Sequence, residues 1–356
     1  MQVVEQVADS SKYYIEICQD GRNLYDFLVQ ELEEYKNKVN QQPNPINLEI
    51  YIDYRTESNY YFDKPGLGAL ETNFFFVLHE ILDKCEISPE IIHLSTGNML
   101  VDKAYNNFIT QFQHWKPLKN VFFEDFWLKH TVNFHKDHSE NYGILNKSKY
   151  FSCLNGAGRE HREITHKYLT KNGMLTLGVC TFVWLGISVD GYTEASQITS
   201  HREQAPEFYK VFDDTYYDVI TETNTGYLNK CTWFEDIFFT EKTWRSILNK
   251  RPFLLMGNVN MLQALKDLGF KTFDGILFDE SYDSIADHEQ RIYAVLEENK
   301  RITDTYSLAE LQDIIMSPEM SNILQHNYEM INKLAKQHSF TVSTHSNNKS
   351  AQNQAI

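Results

Sequence analysis

The sequence predicts an α/β protein with two Rossmann-like domains. Short apolar segments bounded by turn residues, which are typical of buried parallel strands, alternate with segments that repeat apolar residues at helical spacing. This alternation starts twice, near residue 46 and again near residue 150. A chain of 356 residues with 42% hydrophobic and 14% aromatic content is sufficient for two cores. We therefore expect two parallel sheets with loops gathered at the strand C-termini.

The predicted domain boundaries are placed at polar connecting segments. A helix, NLYDFLVQELEEYKNKV, precedes the polar connector QQPNPIN, and strands are predicted at LEIYIDY and IIHLSTGN. We expect an N-terminal helical segment and connector at 1–45, a first Rossmann-like domain at 46–149, a second at 150–305, C-terminal helices at 306–339 and a polar, disordered tail at 340–356.

Residues 216–257 read as strand, acidic turn, helix and buried strand in succession. The helix is predicted to have Thr240 as its N-cap and to stop before Pro252, so its first turn presents Glu241 and Lys242. Unpaired N–H groups at a helix N-terminus bind phosphate, with Lys242 as a point charge, while Glu241 accepts hydrogen bonds from sugar hydroxyls. A nucleotide sugar carries both groups. In isolation, however, Thr-Glu-Lys is better explained as a first-turn carboxylate beside a solvated lysine.

A second cluster, FSCLNGAGREHREITHKYL at 151–169, repeats this logic. An apolar strand end leads into a turn with two glycines and then into a helix start that carries Arg159, His161 and Arg162. Arginine offers a planar fork that binds phosphate bidentately, and glycines let backbone N–H groups approach an anion. A solvated amphipathic helix explains this cluster equally well when it is taken alone.

The two clusters together carry a resemblance to a known family. Glu222, Thr223 and Asn224, followed by FFTEKTWRSIL and a proline-led strand ending in Gly257, resemble the donor-binding signature of the fucosyltransferases and related GT-B glycosyltransferases. That family has a Phe-Glu-Asn turn, a Tyr-Val-Thr-Glu-Lys helix start, an Ala-Leu pair and a Val-Pro-Val-Val-Leu-Gly strand.

The upstream turn is similar to the family's Asn-Cys turn and arginine-bearing helix, with Leu154, Asn155 and Arg159 or Arg162 in the corresponding places. The likeness covers roughly residues 150–260 and lies in the order of three short motifs.

The resemblance implies a GT-B fold, in which two Rossmann-like domains face each other across a cleft and C-terminal helices cross back onto the first domain. It implies that Arg159 or Arg162 and Lys242 hold a diphosphate, with Asn224 beside it and Glu241 on the ribose. The donor would be a GDP- or UDP-linked sugar, used as a co-substrate with no further cofactor. The whole implied donor set is Asn155, Arg159, Arg162, Glu222, Asn224, Thr240, Glu241 and Lys242.

An inverting glycosyl transfer also needs a base that deprotonates the acceptor hydroxyl. In a two-domain transferase this base comes from the first domain, across the cleft. We favour Glu71, which follows the glycine-bearing loop PGLGAL, and place Asp53, at the end of an apolar strand, second. An ordinary helix-start carboxylate is the competing interpretation of Glu71.

We expect no metal site. The chain lacks the Asp-any-Asp motif of GT-A enzymes, and His130, His135 and His138 do not share a helical face with a carboxylate. It also lacks a Walker loop, a Gly-any-Ser-any-Gly elbow and a zinc-protease helix. These absences favour a metal-independent GT-B enzyme.

Charge and cysteine usage constrain partners and location. A net charge of -16 argues against dependence on non-specific phosphate-backbone contacts, so a nucleic acid acceptor is disfavoured but stays open beside a glycan or other hydroxyl acceptor. Five scattered cysteines without a Cys-x-x-Cys pair favour a reducing cytoplasm. No apolar stretch is long enough to span a membrane, and MQVVEQVADSSKYY lacks the pattern of a signal peptide. A non-catalytic nucleotide- or glycan-binding protein with the same fold is the alternative function.

Overall fold

The computed structural model describes residues 12–17, 24–41, 48–55, 73–135, 145–187, 211–225 and 236–338. Its architecture is α/β, with two sheets of four strands each, and every strand pair is parallel. The predicted fold class is confirmed at this level. Among the described residues, no helix is both long and apolar enough to cross a membrane.

The first sheet has the simplest parallel order. Its strands are β1 (Lys12–Glu16), β2 (Glu49–Tyr54), β3 (Ile92–Thr96) and β4 (Asn120–Phe123), and they are neighbours in this sequence. Helices α1 (Leu24–Asn40), α2 (Phe74–Lys84) and α3 (Val101–Gln111) lie between consecutive strands along the chain. Right-handed crossovers between strands that advance in one direction place all such helices on one face. The first core is therefore built between that face and α1 to α3.

Two described elements within residues 1–45, which we set apart from the first domain, pack with the first sheet. Strand β1 pairs with β2, with Ile15 opposite Ile52, and α1 buries Leu28 and Leu32 in the first core. The strand escaped prediction because KYYIE is short and lies at the edge of the sheet, where every second side chain is exposed. Edge pairing of this kind is decided by the neighbouring strand and not by local pattern.

The second sheet has a different order. It contains β5 (Lys149–Asn155), β6 (Gly178–Phe182), β7 (Thr215–Thr221) and β8 (Phe253–Met256), arranged as β6-β5-β7-β8. Strand β6 lies on one side of β5, whereas β7 and β8 lie on the other. The strand order thus reverses beside β5, and the carboxyl ends of β5 and β7 form a topological switch point, where ligands of open α/β sheets bind.

Seven helices among the described residues surround the second core. They are α4 (Phe126–His135), α5 (Glu160–Lys171), α6 (Glu241–Leu248), α7 (Met261–Asp267), α8 (His288–Thr305), α9 (Leu308–Ile315) and α10 (Pro318–His338). Helix α4 directly follows the first sheet, yet its Leu128 and Val132 are buried in the second core. The C-terminal helices α9 and α10 bury Leu311, Met320 and Ile331 in that same core, and α10 contacts both α4 and α6.

Helix α6 forms where the sequence predicts it. Thr240 is its N-cap residue in an extended conformation, and the helix ends at Leu248. Lys250 then adopts a left-handed conformation with a φ of 50°, and Pro252 prevents any continuation. Trp244 and Ile247 are buried in the second core, so α6 is fixed by tertiary packing as well as by its cap.

Candidate functional site

The candidate site lies at the switch point of the second sheet. The turn after β5 leads into α5, and the turn after β7 leads by way of residues 226–240 into α6. The turns that follow β5 and β7, one from each cluster that the sequence singles out, therefore lie at the same edge of one sheet. Hydrogen bonds connect these two turns.

Two residues of the β5–α5 turn contact the β7 turn. Arg159 is the N-cap residue of α5, and its guanidinium donates to the backbone oxygen of Thr223 at 3.0 Å. His161 Nε2 donates to the backbone oxygen of Glu222 at 2.9 Å. Burial, reinforced by the charges of Arg162 and Arg159, lowers the pKa of His161 well below its usual range. The imidazole is therefore neutral and carries its proton on Nε2.

Arg162 is a buried cation that meets only backbone oxygens in its described hydrogen bonds. It is 4% exposed and donates to the carbonyl oxygens of Ala157 and Thr221, each at 3.1 Å, while its Nε has no hydrogen-bond partner. Burial and then the charge of Arg159 lower the pKa of Arg162 to about 10. A buried charge is normally paired, so this guanidinium is suited to a ligand that brings negative charge.

Glu222 is fully buried and its carboxylate is saturated. It accepts the backbone N–H groups of Thr223 and Thr240, each at 3.1 Å, and the hydroxyls of Thr240 and Thr243, each at 2.6 Å. This carboxylate therefore joins the β7 turn to the N-terminus of α6. The geometry assigns it to holding the site together, because its acceptor positions are occupied by the protein.

The first turn of α6 presents an ion pair. Lys242 Nζ lies 2.8 Å from Glu241 Oε1 and 2.9 Å from Thr240 Oγ1. Burial alone would raise the pKa of Glu241, but the charges of Lys242 and Arg245 outweigh it and lower that pKa. Glu241 is thus an ionised carboxylate that pairs with Lys242.

The two asparagines of the predicted donor site, Asn155 and Asn224, have different hydrogen-bond partners. Asn155 is 1% exposed; it accepts from the Thr221 hydroxyl and donates to the backbone oxygen of Cys153 at 3.3 Å, so these bonds lie within the sheet. Asn224 Nδ2 donates to Asp236 Oδ2 at 2.9 Å, on the approach to α6.

The glycine beside the cations has a packing role. A Cβ at Gly158 would lie 3.0 Å from Trp184 Cγ, so the absence of a side chain lets the indole cover the β5–α5 turn. The sequence suggested close approach of an anion at this turn, whereas the described contact of Gly158 is with an aromatic ring.

Of the two candidate bases, Asp53 lies within the described residues. Glu71 lies outside the described residues. Asp53, at the carboxyl end of β2, pairs with Arg55 Nε at 2.9 Å and accepts from the Ser95 hydroxyl at 3.3 Å. Burial raises the pKa of Asp53, opposed by Arg55 and assisted by the charge of Glu124.

Sequence reasoning missed the neighbours of Asp53. Arg55 also pairs with Glu124 at 2.9 Å, and Lys129 pairs with Glu124 at 2.7 Å. Glu124 directly follows β4, a four-residue strand that we did not predict. Had NVFF been recognised as a strand, the position of Glu124 at the carboxyl edge of the sheet would have followed from it.

No protein-family model, no curated protein and no solved structure matches this chain. Within the described ranges, no group of three or more His, Cys, Asp or Glu residues is arranged to hold a metal ion.

Proposed function

We propose that this chain is an inverting, metal-independent glycosyltransferase of the GT-B type. Its second domain would bind a GDP- or UDP-linked sugar, and its first domain would bind the acceptor across a cleft, as in the fucosyltransferases that the sequence resembles. The observation that supports this most is the buried guanidinium of Arg162 at the switch point, hydrogen-bonded only to neutral carbonyls among its described contacts.

The local charge balance supports an anionic ligand. Arg159, Arg162 and Lys242 bring three positive charges to the site, where the carboxylates are those of Glu222 and Glu241, and Glu241 pairs with Lys242. A diphosphate would add negative charge beside these cations and gain charge-assisted hydrogen bonds. The same cations would stabilise the leaving nucleoside diphosphate as its bond to the sugar breaks.

Proton transfer from the acceptor is assigned to the first domain. Burial raises the pKa of Asp53, which makes its carboxylate a stronger proton acceptor, and Asp53 lies at the carboxyl edge of its sheet. Glu71 keeps the role we gave it from the sequence. The acceptor is a hydroxyl compound, a glycan in the first instance, and nucleic acid stays the disfavoured option.

One observation favours the alternative of a non-catalytic nucleotide- or glycan-binding protein. The carboxylate of Asp53 is already engaged by Arg55 at 2.9 Å, and an ion-paired base is a weaker proton acceptor. A cytoplasmic location is part of both proposals, and the free thiols of Cys85, Cys153 and Cys180 agree with it.

The test measures nucleotide binding first. The purified protein is titrated with GDP, UDP and inorganic pyrophosphate in EDTA, and melting temperature and heat of binding are recorded. We expect one nucleoside diphosphate to raise the melting temperature. Lys242→Met and Arg162→Met should each weaken that binding at least about 10-fold, since each removes a charge-assisted contact.

Lys167→Met is the matched control, because Lys167 is exposed on α5 and lies beyond the first turn. Release of nucleoside diphosphate from GDP- and UDP-sugars then separates an enzyme from a binding protein. Unchanged nucleotide affinity in both Lys242→Met and Arg162→Met would disprove the assigned site, and binding without any sugar release or transfer would favour the non-catalytic alternative.

A further inference from the structure

A buried segment connects the two halves of the protein beside the candidate site. Residues 236–240, which we call the strap, are all buried and lack regular secondary structure. They lead directly into the first turn of α6, which carries Glu241 and Lys242. A buried irregular segment requires partners for its backbone N–H and C=O groups, so the identity of those partners shows what holds it.

The second residue of the strap, Ile237, is held by the first half of the chain, whereas its first residue, Asp236, is bound by Asn224 and Asn258 of the second half. Ile237 N–H donates to Asn98 Oδ1 at 3.0 Å, and Ile237 C=O accepts from the backbone N–H of Met99 at 2.9 Å. Asn98 and Met99 lie in the turn between β3 and α3. Asn98 is completely buried, and the same Oδ1 accepts from Leu100 N–H at 2.9 Å, which fixes the amide within its own turn.

The carboxyl end of the strap is held by the second half. Glu222 accepts the N–H and the hydroxyl of Thr240, the last residue of the strap. Between the two ends, Ile237 and Phe239 are buried in the second core, and the Phe239 ring lies 5.2 Å from that of Trp244 on α6. The strap therefore connects the Asn98 turn to the start of α6 through packed side chains and paired backbone groups.

We propose that Asn98 is a positioning residue for the nucleotide site, acting from the first domain through the strap on the first turn of α6. Its side-chain oxygen sets the position of Ile237, and the strap sets where Glu241 and Lys242 lie relative to Arg162. A displacement of about 1 Å is sufficient to cost a preorganised site a large factor in binding or rate. The functional part of this inference rests on the proposed function, whereas the positional part does not.

The experiment compares Asn98→Leu with Asn98→Asp. Leucine has a similar size but no acceptor, whereas aspartate keeps an oxygen for the N–H groups of Leu100 and Ile237 and stands near the N-terminus of α3, where negative charge is favourable. We measure the dissociation constants of GDP and UDP and the amide hydrogen exchange of Ile237 and Thr240. Leu78→Ala, in the first core and outside the strap contacts, controls for general loss of stability.

We expect Asn98→Leu to speed exchange at both amides and to weaken binding of the nucleotide about 10-fold. Asn98→Asp should return the amide exchange and the nucleotide affinity toward their wild-type values. For the same decrease in melting temperature, Leu78→Ala should weaken nucleotide binding less than Asn98→Leu does. Faster exchange at Ile237 with unchanged Thr240 exchange and unchanged affinity would overturn the proposal. If the wild type binds neither nucleotide, the proposed function fails, and Thr240 exchange in the two Asn98 variants still decides whether Asn98 positions α6.

Discussion

The carboxylate of Glu222 accepts both the backbone N–H of Thr240, at 3.1 Å, and its hydroxyl, at 2.6 Å. Thr240 is the N-cap residue of α6, yet its own side chain caps no helical N–H group. The carboxylate of a distant turn thus accepts the N–H of the N-cap residue, which is the group that a Glu or Gln at the third helical position accepts in a capping box. This contact ties the end of β7 to the start of the helix that presents Lys242.

Glu222→Gln is expected to destabilise the protein. Glutamine keeps one acceptor oxygen but places an NH₂ donor against hydroxyl and N–H donors, so at least one buried donor loses its partner. The expected loss in free energy of unfolding is about 1–3 kcal/mol, measured by urea denaturation. Glu163→Gln, an exposed change on α5, is the control and should lie within about 0.5 kcal/mol of the wild type. A loss for Glu222→Gln no larger than that of the control would contradict the capping role.

Arg251→Met is expected to lower the free energy of unfolding more than Glu222→Gln does. Arg251 pairs with Asp218 at 2.8 Å, both side chains are buried, and Ser152 and Ser246 complete the environment of the carboxylate. Removing one partner leaves an uncompensated buried charge, so we expect a loss of about 3–5 kcal/mol in free energy of unfolding.

The control for Arg251→Met is Lys300→Met, which breaks the exposed pair with Asp304 on α8. Exposed pairs contribute little, and we expect a much smaller change than that of Arg251→Met in the same urea titration. Equal losses in the two variants would show that the buried pair has no special role in the second core.

Asp125→Asn is expected to stabilise the protein at alkaline pH. Asp125 accepts from Leu128 N–H at 2.8 Å at the start of α4. Burial raises the pKa of Asp125 to about 7, and the charge of Glu222 acts in the same direction. The hydrogen bonds from Leu128 N–H and Trp244 and the charge of Lys129 oppose this shift only in part. A carboxyl whose folded pKa is raised contributes stability that is complete below its unfolded pKa and lost as pH rises through the folded value.

Asparagine also caps a helix but carries no charge. The melting temperature of Asp125→Asn relative to the wild type should therefore rise between pH 5 and pH 8, by the equivalent of about 1 kcal/mol or more. A difference in melting temperature that is constant across this range would show that Asp125 has an ordinary pKa in the folded protein.

His79 is expected to make the free energy of unfolding fall as the pH falls, which is the opposite of the effect of Asp125. It is fully buried on α2 within hydrogen-bond distance of the Tyr105 hydroxyl, at 3.1 Å, and burial lowers its pKa to about 4. A histidine with a lowered folded pKa contributes stability that is complete above its unfolded pKa of 6.5 and lost as pH falls toward 4. The loss is at most about 3 kcal/mol.

His79→Leu removes the titrating group. Between pH 7 and pH 4.5 its free energy of unfolding should fall less steeply than that of the wild type, as measured by urea titration at each pH. His114→Gln removes an exposed side chain whose charge lowers the pKa of His79 less than burial does, so it should change the slope less than His79→Leu. Parallel pH profiles for wild type and His79→Leu would exclude His79 as a source of acid sensitivity.

Much of the second domain was predictable because its signals are local. The apolar runs of β7 and β8, the threonine before α6 and the proline after it are all read within a few residues. Edge strand β1 and the short strand β4 were missed, since their pairing depends on neighbours that are distant in the chain.

The sequence named the residues of the candidate site, but it did not give their contacts. The sequence identified Arg159, Arg162 and Lys242 as cations beside helix starts, and the structure brings their turns together. It could not show that Arg162 is buried against carbonyl oxygens, or that the Glu222 carboxylate is already occupied. Both facts depend on contacts between residues far apart in sequence, which neither periodicity nor a short motif records.

The sequence by itself determined the alternation of strands and helices and the chemical types that follow β5 and β7, because hydrophobic periodicity and capping act over a few residues. The tertiary structure alone decided the order β6-β5-β7-β8, the switch point it creates and the bonds from Asn98 to the strap. Strand order is set by the competition among long-range pairings and by the burial of both sheets against their helices. These are collective free energies of the folded chain, so no segment read alone contains them.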